Sequence, residues 1–235
     1  MDRAAQFSLD HSRCVEARHI GAVKEQLLAR GWATVQMVTS PEGLLSIAQE
    51  FGSPLRAPTG EFVKVLTPRD QTDAPRASLS ARYGKDSFPF HTDTAFWPTP
   101  CRFIVMRVVG DRRRFTHLLD LDVLMKELGA QTRKDAEESV WRTFSRGSGF
   151  YCSLRFRLGG HSGWRFDPMI MQPANSSAVR INELMAEVLI DKHQDTSVSW
   201  EQTEVLIVDN WRCLHRRGAA PPNERRRELL RVYVG

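Results

Sequence analysis

Phe90-His91-Thr92-Asp93 is the stretch that decides the fold, together with a second stretch near the end of the chain, Asp209-Asn210-Trp211-Arg212-Cys213-Leu214-His215. Side chains alternate along a β-strand, so a strand here would place His91 and Asp93 on one face. His215 can then complete three ligands on one side of a metal. Two histidines and one carboxylate, with the opposite positions open, suit non-haem Fe(II) in O₂ chemistry. The sequence therefore predicts an iron site at His91, Asp93 and His215.

A second His-x-Asp sequence, His193-Gln194-Asp195, serves as an internal comparison. It ends a run of helical pattern and lies only 22 residues before His215 (215 − 193), which leaves little room for intervening strands. We predict a solvated helix end there. His91 and Asp93 instead lie between Phe88-Pro89-Phe90 and Ala95-Phe96-Trp97. An ionisable pair in such apolar surroundings needs a partner or a metal.

The C-terminal segment adds two arginines to this pattern. A turn-rich loop over 216–223 precedes Arg227 and Arg231, which are four residues apart. If this last segment is a strand, both arginines face the same side with Leu229 between them. Arginine offers a fixed bidentate fork, so two guanidinium groups on an inward face indicate carboxylate recognition. We expect Arg225 and Arg226 to be solvated.

Together these motifs resemble the Fe(II)/2-oxoglutarate dioxygenases of the taurine dioxygenase and clavaminate synthase group. The resemblance rests on His91-Thr92-Asp93, Asp209-Asn210-x-x-x-Leu214-His215 and Arg227-x-x-x-Arg231, and further fitting stretches are 31–35, 51–55, 99–100, 165–167 and 171–173. It implies that His91, Asp93 and His215 bind Fe(II) and that Arg227 holds the distal carboxylate of 2-oxoglutarate. It also implies that Thr116 is the hydroxyl partner of that carboxylate.

The resemblance further implies an activity, the hydroxylation of a small molecule with consumption of O₂ and release of succinate and CO₂. Halogenating relatives lack the carboxylate ligand, so the presence of Asp93 argues against halogenation. Arg231 resembles the second arginine, which in relatives often faces an anionic group of the substrate. With Arg102 and Arg107 on a neighbouring strand, it indicates an anionic or amino-acid-like substrate, although Arg102 and Arg107 could equally anchor Glu or Asp side chains. Trp97 is a candidate for the substrate pocket, and its alternative role is a core aromatic.

Periodicity and turn residues predict a set of short strands and several helices. The predicted helices cover 16–30, with Ile20, Val23, Leu27 and Leu28 on one face, then 41–51, 122–128, 134–140 and 178–192. The predicted strands cover 32–38, 62–67, 102–109, 141–146, 150–158, 163–167, 204–208, 212–214 and 228–234. With the resemblance, this predicts a β-rich α+β fold, a double-stranded β-helix (jelly-roll, cupin-like) core with flanking helices, as one domain over 1–235. Residues 68–80 read as a mobile loop in a position suited to a lid.

Composition agrees with a single globular enzyme domain, since 41% apolar and 26% charged residues are ordinary values for that class. The sequence shows no signal peptide and no apolar run that could span a bilayer. The four cysteines, Cys14, Cys101, Cys152 and Cys213, lack Cys-x-x-Cys spacing, which argues against a zinc ribbon or a dithiol site. We expect free thiols and a cytoplasmic protein. Whether the chain forms a homo-oligomer stays open.

Two alternatives to an oxygenase of small molecules remain at this point. One is a metal-binding jelly roll without oxygenase activity, or without catalytic activity at all. The other is a dioxygenase that acts on nucleic acid, an activity with which the net charge of +5 is compatible. Much of that charge comes from Arg112 to Arg114 and Arg225 to Arg227, two clusters that solvated loops would also explain. We expect no nucleic-acid or membrane partner.

Overall fold

The computed structural model describes residues 20–36, 40–75, 78–145, 147–188 and 195–235. Its helices are α1 (20–30), α2 (Pro41–Gln49), α3 (Leu79–Tyr83), α4 (Leu121–Glu127), α5 (Gly129–Glu138) and α6 (Ser176–Val188), with a 3-10 turn at Gln71–Asp73. Its strands are β1 (Trp32–Val35), β2 (Pro54–Leu55), β3 (Lys64–Leu66), β4 (Phe103–Gly110), β5 (Thr116–Asp120), β6 (Val140–Ser145), β7 (Ser148–Ser153), β8 (Arg155–Leu158), β9 (His161–Trp164), β10 (Met171–Pro173), β11 (Thr196–Val198), β12 (Val205–Asp209), β13 (Cys213–Arg217) and β14 (Arg227–Val234).

All named strands pair in antiparallel fashion. The largest sheet runs β1-β12-β4-β14-β2, with β3 also pairing with β14, and we call it the main sheet. A second sheet, here the minor sheet, has the order β11-β5-β13. Two further sheets, β10-β6-β7 and β8-β9, complete the β-structure of the described residues. The chain thus combines helices with antiparallel sheets, and the order of strands in the main sheet requires long crossovers.

The main sheet and the minor sheet share a buried apolar cluster. Ile104, Met106 and Tyr233 from the main sheet pack in it with Leu118 and Cys213 from the minor sheet. Strand alternation then fixes which polar residues face the same interior, namely Thr116 on β5, His215 and Arg217 on β13, and Arg227 and Arg231 on β14. The opposite face of the main sheet packs against α1 and α2 through Val105, Val205, Ile207, Leu230 and Val232 among others.

The helices that cover the main sheet begin and end where local chemistry requires. Ser40 caps α2, because its hydroxyl accepts a hydrogen bond from the Gly43 amide at 3.1 Å, and Pro41 occupies the first helical position. Gly31 ends α1 with φ of 76°, a conformation in which glycine has no steric cost. These signals made α2 and the end of α1 predictable.

Strand β5 is one of several elements that the sequence pattern missed. The others are the short strands β2, β10 and β11 and helix α3, which begins within the stretch 68–80 that was expected to be a loop. Leu118 packs between the two sheets, whereas Leu119 packs in the cluster formed with Trp141 and Phe166. A strand that is buried on both faces shows no clean alternation, so the pattern Thr-His-Leu-Leu-Asp is not recognised as a strand. The predicted strand at 150–158 is divided in two, with Leu154 between β7 and β8.

Other expectations need correction. Leu28 was expected on the apolar face of its helix, yet it is 81% exposed, because Val23 and Leu27 alone reach the sheet. Of the comparison motif, His193 lies outside the described residues. Asp195 is not solvated as expected: its side chain is buried and pairs with Arg216 at 2.8 Å and His117 at 3.3 Å. No helix in the described ranges is long and apolar enough to cross a membrane.

Neighbouring leucines of α1 allow a direct test of how this helix packs. Leu27 is 6% exposed and Leu28 is 81% exposed. Leu27→Ala should lower the free energy of unfolding by about 2–5 kcal/mol, because it leaves a cavity against the main sheet. Leu28→Ala should change it by less than about 0.5 kcal/mol. Urea denaturation of both variants measures the difference, and equal effects would show that α1 is packed through another face.

Candidate metal and carboxylate site

Three predicted ligands come together in the interior between the two sheets. His91, Asp93 and His215 each offer a ligand atom, and these atoms lie within 4.8 Å of one another. His91 Nε2 is 3.7 Å from Asp93 Oδ1, and His215 Nε2 is 3.6 Å from Asp93 Oδ2. These separations are too long for hydrogen bonds but leave room for an ion among the three groups. All three residues are buried.

Backbone hydrogen bonds hold the segment of His91 beside the strand of His215. His91 and His215 exchange amide-to-carbonyl hydrogen bonds of 3.1 Å, so the segment around His91 lies beside β13 as a further extended element. His91 Nδ1 lies 2.9 Å from the carbonyl oxygen of Pro89. A proton on Nδ1 donates to that oxygen and leaves the Nε2 lone pair directed into the site, as a metal ligand requires.

Asn210 holds Asp93 in place, a role that sequence reasoning did not assign. Its Oδ1 accepts from the Asp93 amide at 2.9 Å, and its Nδ2 donates to the carbonyl oxygens of Asp93 at 3.0 Å and of Cys101 at 2.9 Å. Thr94, at φ of 56°, turns the chain sharply after Asp93, and its hydroxyl accepts from the Cys101 amide at 2.8 Å. The Asp-Asn pair at 209–210 was the available signal in the sequence.

The electrostatics of the group favour an ionised carboxylate. Burial acts to raise the pKa of the Asp93 carboxyl, but the Arg231 guanidinium and the two histidines hold that pKa well below its ordinary value. Burial, followed by the charge of His91, lowers the pKa of His215. Burial also opposes the charged form of His91, but Asp93 raises the pKa of that imidazole. Asp93 is therefore ready to bind a cation without first losing a proton.

Arg231 contacts the predicted metal ligand directly. Its Nη1 donates to Asp93 Oδ2 at 2.6 Å, and its guanidinium lies 4.9 Å from the centroid of the Tyr233 ring. The side chain is largely buried. An anionic group of a substrate would thus have to share this guanidinium with Asp93.

Arg227 and Thr116 lie at the same end of the inter-sheet interior. Arg227 is opposite Gly110 at the start of β14, and Thr116 is opposite Arg217 at the end of β13. Arg227 is 5% exposed and forms no hydrogen bond or ion pair with any described residue. Thr116 Oγ1 accepts from Trp200 Nε1 at 3.0 Å, which leaves the hydroxyl proton able to bind an acceptor. A buried guanidinium without a partner suits a carboxylate ligand.

Three further residues of the sequence prediction are placed as follows. Trp97 is partly exposed and packs edge-on against Tyr233, with ring centroids 5.8 Å apart. Arg102 pairs with Asp209 at 2.8 Å and does not face the metal ligands. Arg107 lies opposite Val205 and Leu230 in the main sheet, and those residues face the helices. The expectation that Arg102 and Arg107 support anion binding beside Arg231 is therefore wrong.

A second acidic group near the histidines, Asp167, was not assigned a role from the sequence. The extended residues Arg165 to Asp167 lie beside Thr92, whose amide donates to the Phe166 carbonyl at 2.7 Å. Phe166 faces the core with Trp141, so Asp167 lies on the other side, where its charge acts on His91. Burial raises the pKa of the Asp167 carboxyl. Within the described residues this carboxylate accepts only from the Met169 amide, at 2.8 Å.

Comparison with known proteins places the chain in a family. Residues 110–233 match the family described as taurine catabolism dioxygenase TauD, TfdA family. This match spans more than half of the chain, and the chain belongs to that family. It agrees with the resemblance found in the sequence motifs. No curated protein sequence matches.

Solved structures of similar fold include two proteins that are described as oxygenases and a third that is described by name alone. An asparagine oxygenase in complex with Fe(II), 2S,3S-3-hydroxyasparagine and succinate is 15% identical over 94% of this chain and 79% of its own, with a TM-score of 0.75. The PvcB protein from Pseudomonas aeruginosa is 18% identical over 92% and 79%, with a TM-score of 0.65. The oxygenase OrfP, in complex with Fe and alpha-ketoglutaric acid, is 21% identical over 82% and 63%, with a TM-score of 0.64. At these identities the likeness shows the fold.

The role of Asn210 leads to a prediction with a matched control. Asn175 makes the same kind of backbone bridge elsewhere, accepting from the Val140 and Ala178 amides and donating to the Glu138 carbonyl. Asn210→Ala should cost about 1–3 kcal/mol of stability, because buried backbone groups lose partners, and Asn175→Ala should cost less, because the groups it bridges are more exposed. Only Asn210→Ala should also weaken metal binding, by about 10- to 100-fold, because it frees the Asp93 backbone. Calorimetric titration with Fe(II) under argon compares them, and equal affinities would refute this role.

Proposed function

We propose that the protein is an Fe(II)- and 2-oxoglutarate-dependent oxygenase that hydroxylates a small, anionic or amino-acid-like molecule and releases succinate and CO₂. The observation that carries this proposal is the buried group of His91, Asp93 and His215 in the same interior as Arg227, whose guanidinium has no partner among the described residues. Membership of a dioxygenase family supports it. We also propose that residues 1–235 form one domain with a jelly-roll core, in which the main sheet and the minor sheet are the two layers.

The donor set fits Fe(II) in chemical terms. Two imidazole nitrogens and one carboxylate on one side of an ion leave the other positions open, which is the arrangement used by non-haem iron oxygenases. In this proposal His91, Asp93 and His215 hold the metal. Fe(II) with bound 2-oxoglutarate supplies the activation of O₂ that inserts an oxygen atom into a C–H bond.

The residues around the ligands would bind and orient the two organic molecules. Arg227 binds the carboxylate of 2-oxoglutarate that lies away from the metal, and Thr116 donates its hydroxyl proton to the same carboxylate. Arg227 lies four residues from Arg231, or roughly 13 Å along the strand, so both long side chains reach into the space beside the metal. A five-carbon dicarboxylate can span that space.

An amino-acid-like substrate is supported by two kinds of observation. Asp167 offers a buried carboxylate near His91 that could accept an ammonium group, while Arg231 offers positive charge on the other side of Asp93. Trp97, beside Tyr233, is proposed to line the same pocket. The similar structures carry amino acid products in their descriptions, hydroxyasparagine in one and (3S)-hydroxy-L-Arg in another. The same substrate class is proposed here.

The proposed activity is tested by a screen of amino acids and other small carboxylates for succinate release. With Fe(II), 2-oxoglutarate and O₂ present, a true substrate should raise succinate formation above the rate without substrate. Mass spectrometry should show that the product contains one oxygen atom more than the substrate. If no succinate forms, either with any of the compounds or in their absence, the result would favour a metal-binding protein without catalytic activity.

The metal ligands give a sharper prediction. His91→Ala and Asp93→Ala should each abolish Fe(II)-dependent succinate formation and lower the stoichiometry of tightly bound iron, because two ligands cannot retain the ion. His161→Ala, an exposed histidine on β9, is the control and should leave both unchanged. Iron content after gel filtration and succinate release are measured for each variant. Wild-type iron content in Asp93→Ala would show that the ligands are assigned wrongly.

Arg227 can be separated from the metal by a conservative substitution. Arg227→Lys keeps a positive charge but loses the planar fork, so the concentration of 2-oxoglutarate required for half-maximal rate should rise by about 10-fold or more. Iron affinity should stay near that of the wild-type protein. Steady-state rates at varied 2-oxoglutarate, with calorimetry for iron, test this. If the 2-oxoglutarate requirement is unchanged, another arginine binds the carboxylate that lies away from the metal.

A further inference from the structure

Four charged side chains gather where the connection between β4 and β5 meets the ends of two other strands. The connection lies beside β14, since the Asp111 amide donates to the Arg226 carbonyl at 3.0 Å. It also lies beside the end of β13, since the Gly218 amide donates to the Phe115 carbonyl at 3.0 Å. Arg114 in this connection therefore lies among residues of both sheets. The group, here called the arginine cluster, is Arg114, Arg217, Glu224 and Arg227.

The arginine cluster contains more positive charge than it can neutralise. Arg114 has a side chain with no solvent exposure, and its Nη2 donates to Glu224 Oε2 at 2.7 Å. Its Nε and Nη1 are buried and have no hydrogen-bond partner. Arg227 has no partner among the described residues, and Arg217 donates only to the carbonyl oxygens of Gly84 and Asp86. Within the arginine cluster Glu224 is the one acidic side chain against three guanidinium groups, and from outside it Asp111 acts on Arg114 and Arg227 and Asp86 acts on Arg217.

The buried guanidinium groups of Arg114 and Arg227 carry like charges and repel each other. Burial and then the charge of Arg114 lower the pKa of Arg227 to about 10, so Arg227 stays charged at neutral pH. Two buried cations that lack a full set of acceptors are costly for the folded state. A bound anion between them would supply the missing acceptors and relieve the repulsion.

We infer that Arg114 is a second cationic residue of the 2-oxoglutarate pocket and binds, together with Arg227, the carboxylate that lies away from the metal. This inference rests on the proposed function. Thr116 follows Arg114 by two residues, so one short segment supplies both a guanidinium and a hydroxyl to the same carboxylate. Glu224 accepts from Nη2 and so orients Arg114, while the buried Nη1 keeps N–H donors for the ligand.

The test compares two keto acids that differ by one carboxymethyl group. Calorimetry under argon with the Fe(II)-loaded protein gives the affinities for 2-oxoglutarate and for pyruvate, which keeps the keto-acid end and lacks the distal carboxylate. Their ratio measures how strongly that carboxylate is recognised. Arg114→Gln should lower the ratio by about 10- to 100-fold, the range expected for a charged hydrogen bond, with pyruvate affinity unchanged. Arg113→Gln, a half-exposed neighbour that pairs with Asp111, should preserve the ratio.

Each result then has one meaning. A ratio that falls in Arg227→Gln but is unchanged in Arg114→Gln overturns the inference and leaves the proposed function standing. A wild-type protein that binds neither keto acid contradicts the proposed function itself. If Arg114→Gln does not fold, the double variant Arg114→Gln/Glu224→Gln replaces it, because it removes the pair without leaving Glu224 unpaired. The same fall in ratio is then expected, and an unchanged ratio overturns the inference.

Discussion

The ion pair between Asp93 and Arg231 is the interaction on which the rest of the site depends. A carboxylate buried between two sheets would normally take up a proton, because low-dielectric surroundings disfavour its charge. The Arg231 guanidinium, 2.6 Å away, keeps it ionised. The two imidazoles then face a fixed negative charge in a space shielded from water. An interior of this kind can hold a cation with little rearrangement.

The cost of burying charge also explains why the two faces of the main sheet differ. The main sheet packs one face against α1 and α2 in an apolar layer, where no metal ligand is found among the described residues. Its other face, opposite the minor sheet, carries arginines in positions where apolar side chains would pack better. Burying these arginines costs stability unless acidic side chains or bound anions compensate their charge. The polar interior is therefore best understood as binding surface, and the apolar layers around it as the source of stability.

Sequence reasoning predicted much of this arrangement, because His91, Asp93, His215 and Arg227 belong to short motifs with fixed spacing. It could not show that Arg231 contacts Asp93, since a four-residue spacing fixes the face of a strand but not the end of a long side chain. Arg102 and Arg107 were misjudged for a related reason: their real partners, such as Asp209, are distant in sequence. The roles inferred for Asn210, Asp167 and Arg114 depend on tertiary contacts that the sequence does not show. Strand β5 was not predicted because both of its faces are buried, so its sequence shows no clear alternation of apolar and polar residues.

The most direct test of the account is spectroscopic and needs no substrate. Under argon, the Fe(II)-loaded protein should develop a weak visible absorption band when 2-oxoglutarate is added, because the keto acid chelates the metal through a carboxylate and a keto oxygen. Succinate, which has no keto group, should produce none. Saturable growth of the band at one equivalent of iron would support a metal site that accepts 2-oxoglutarate. Tight iron binding without any band would contradict it and would describe a metal-binding protein of another kind.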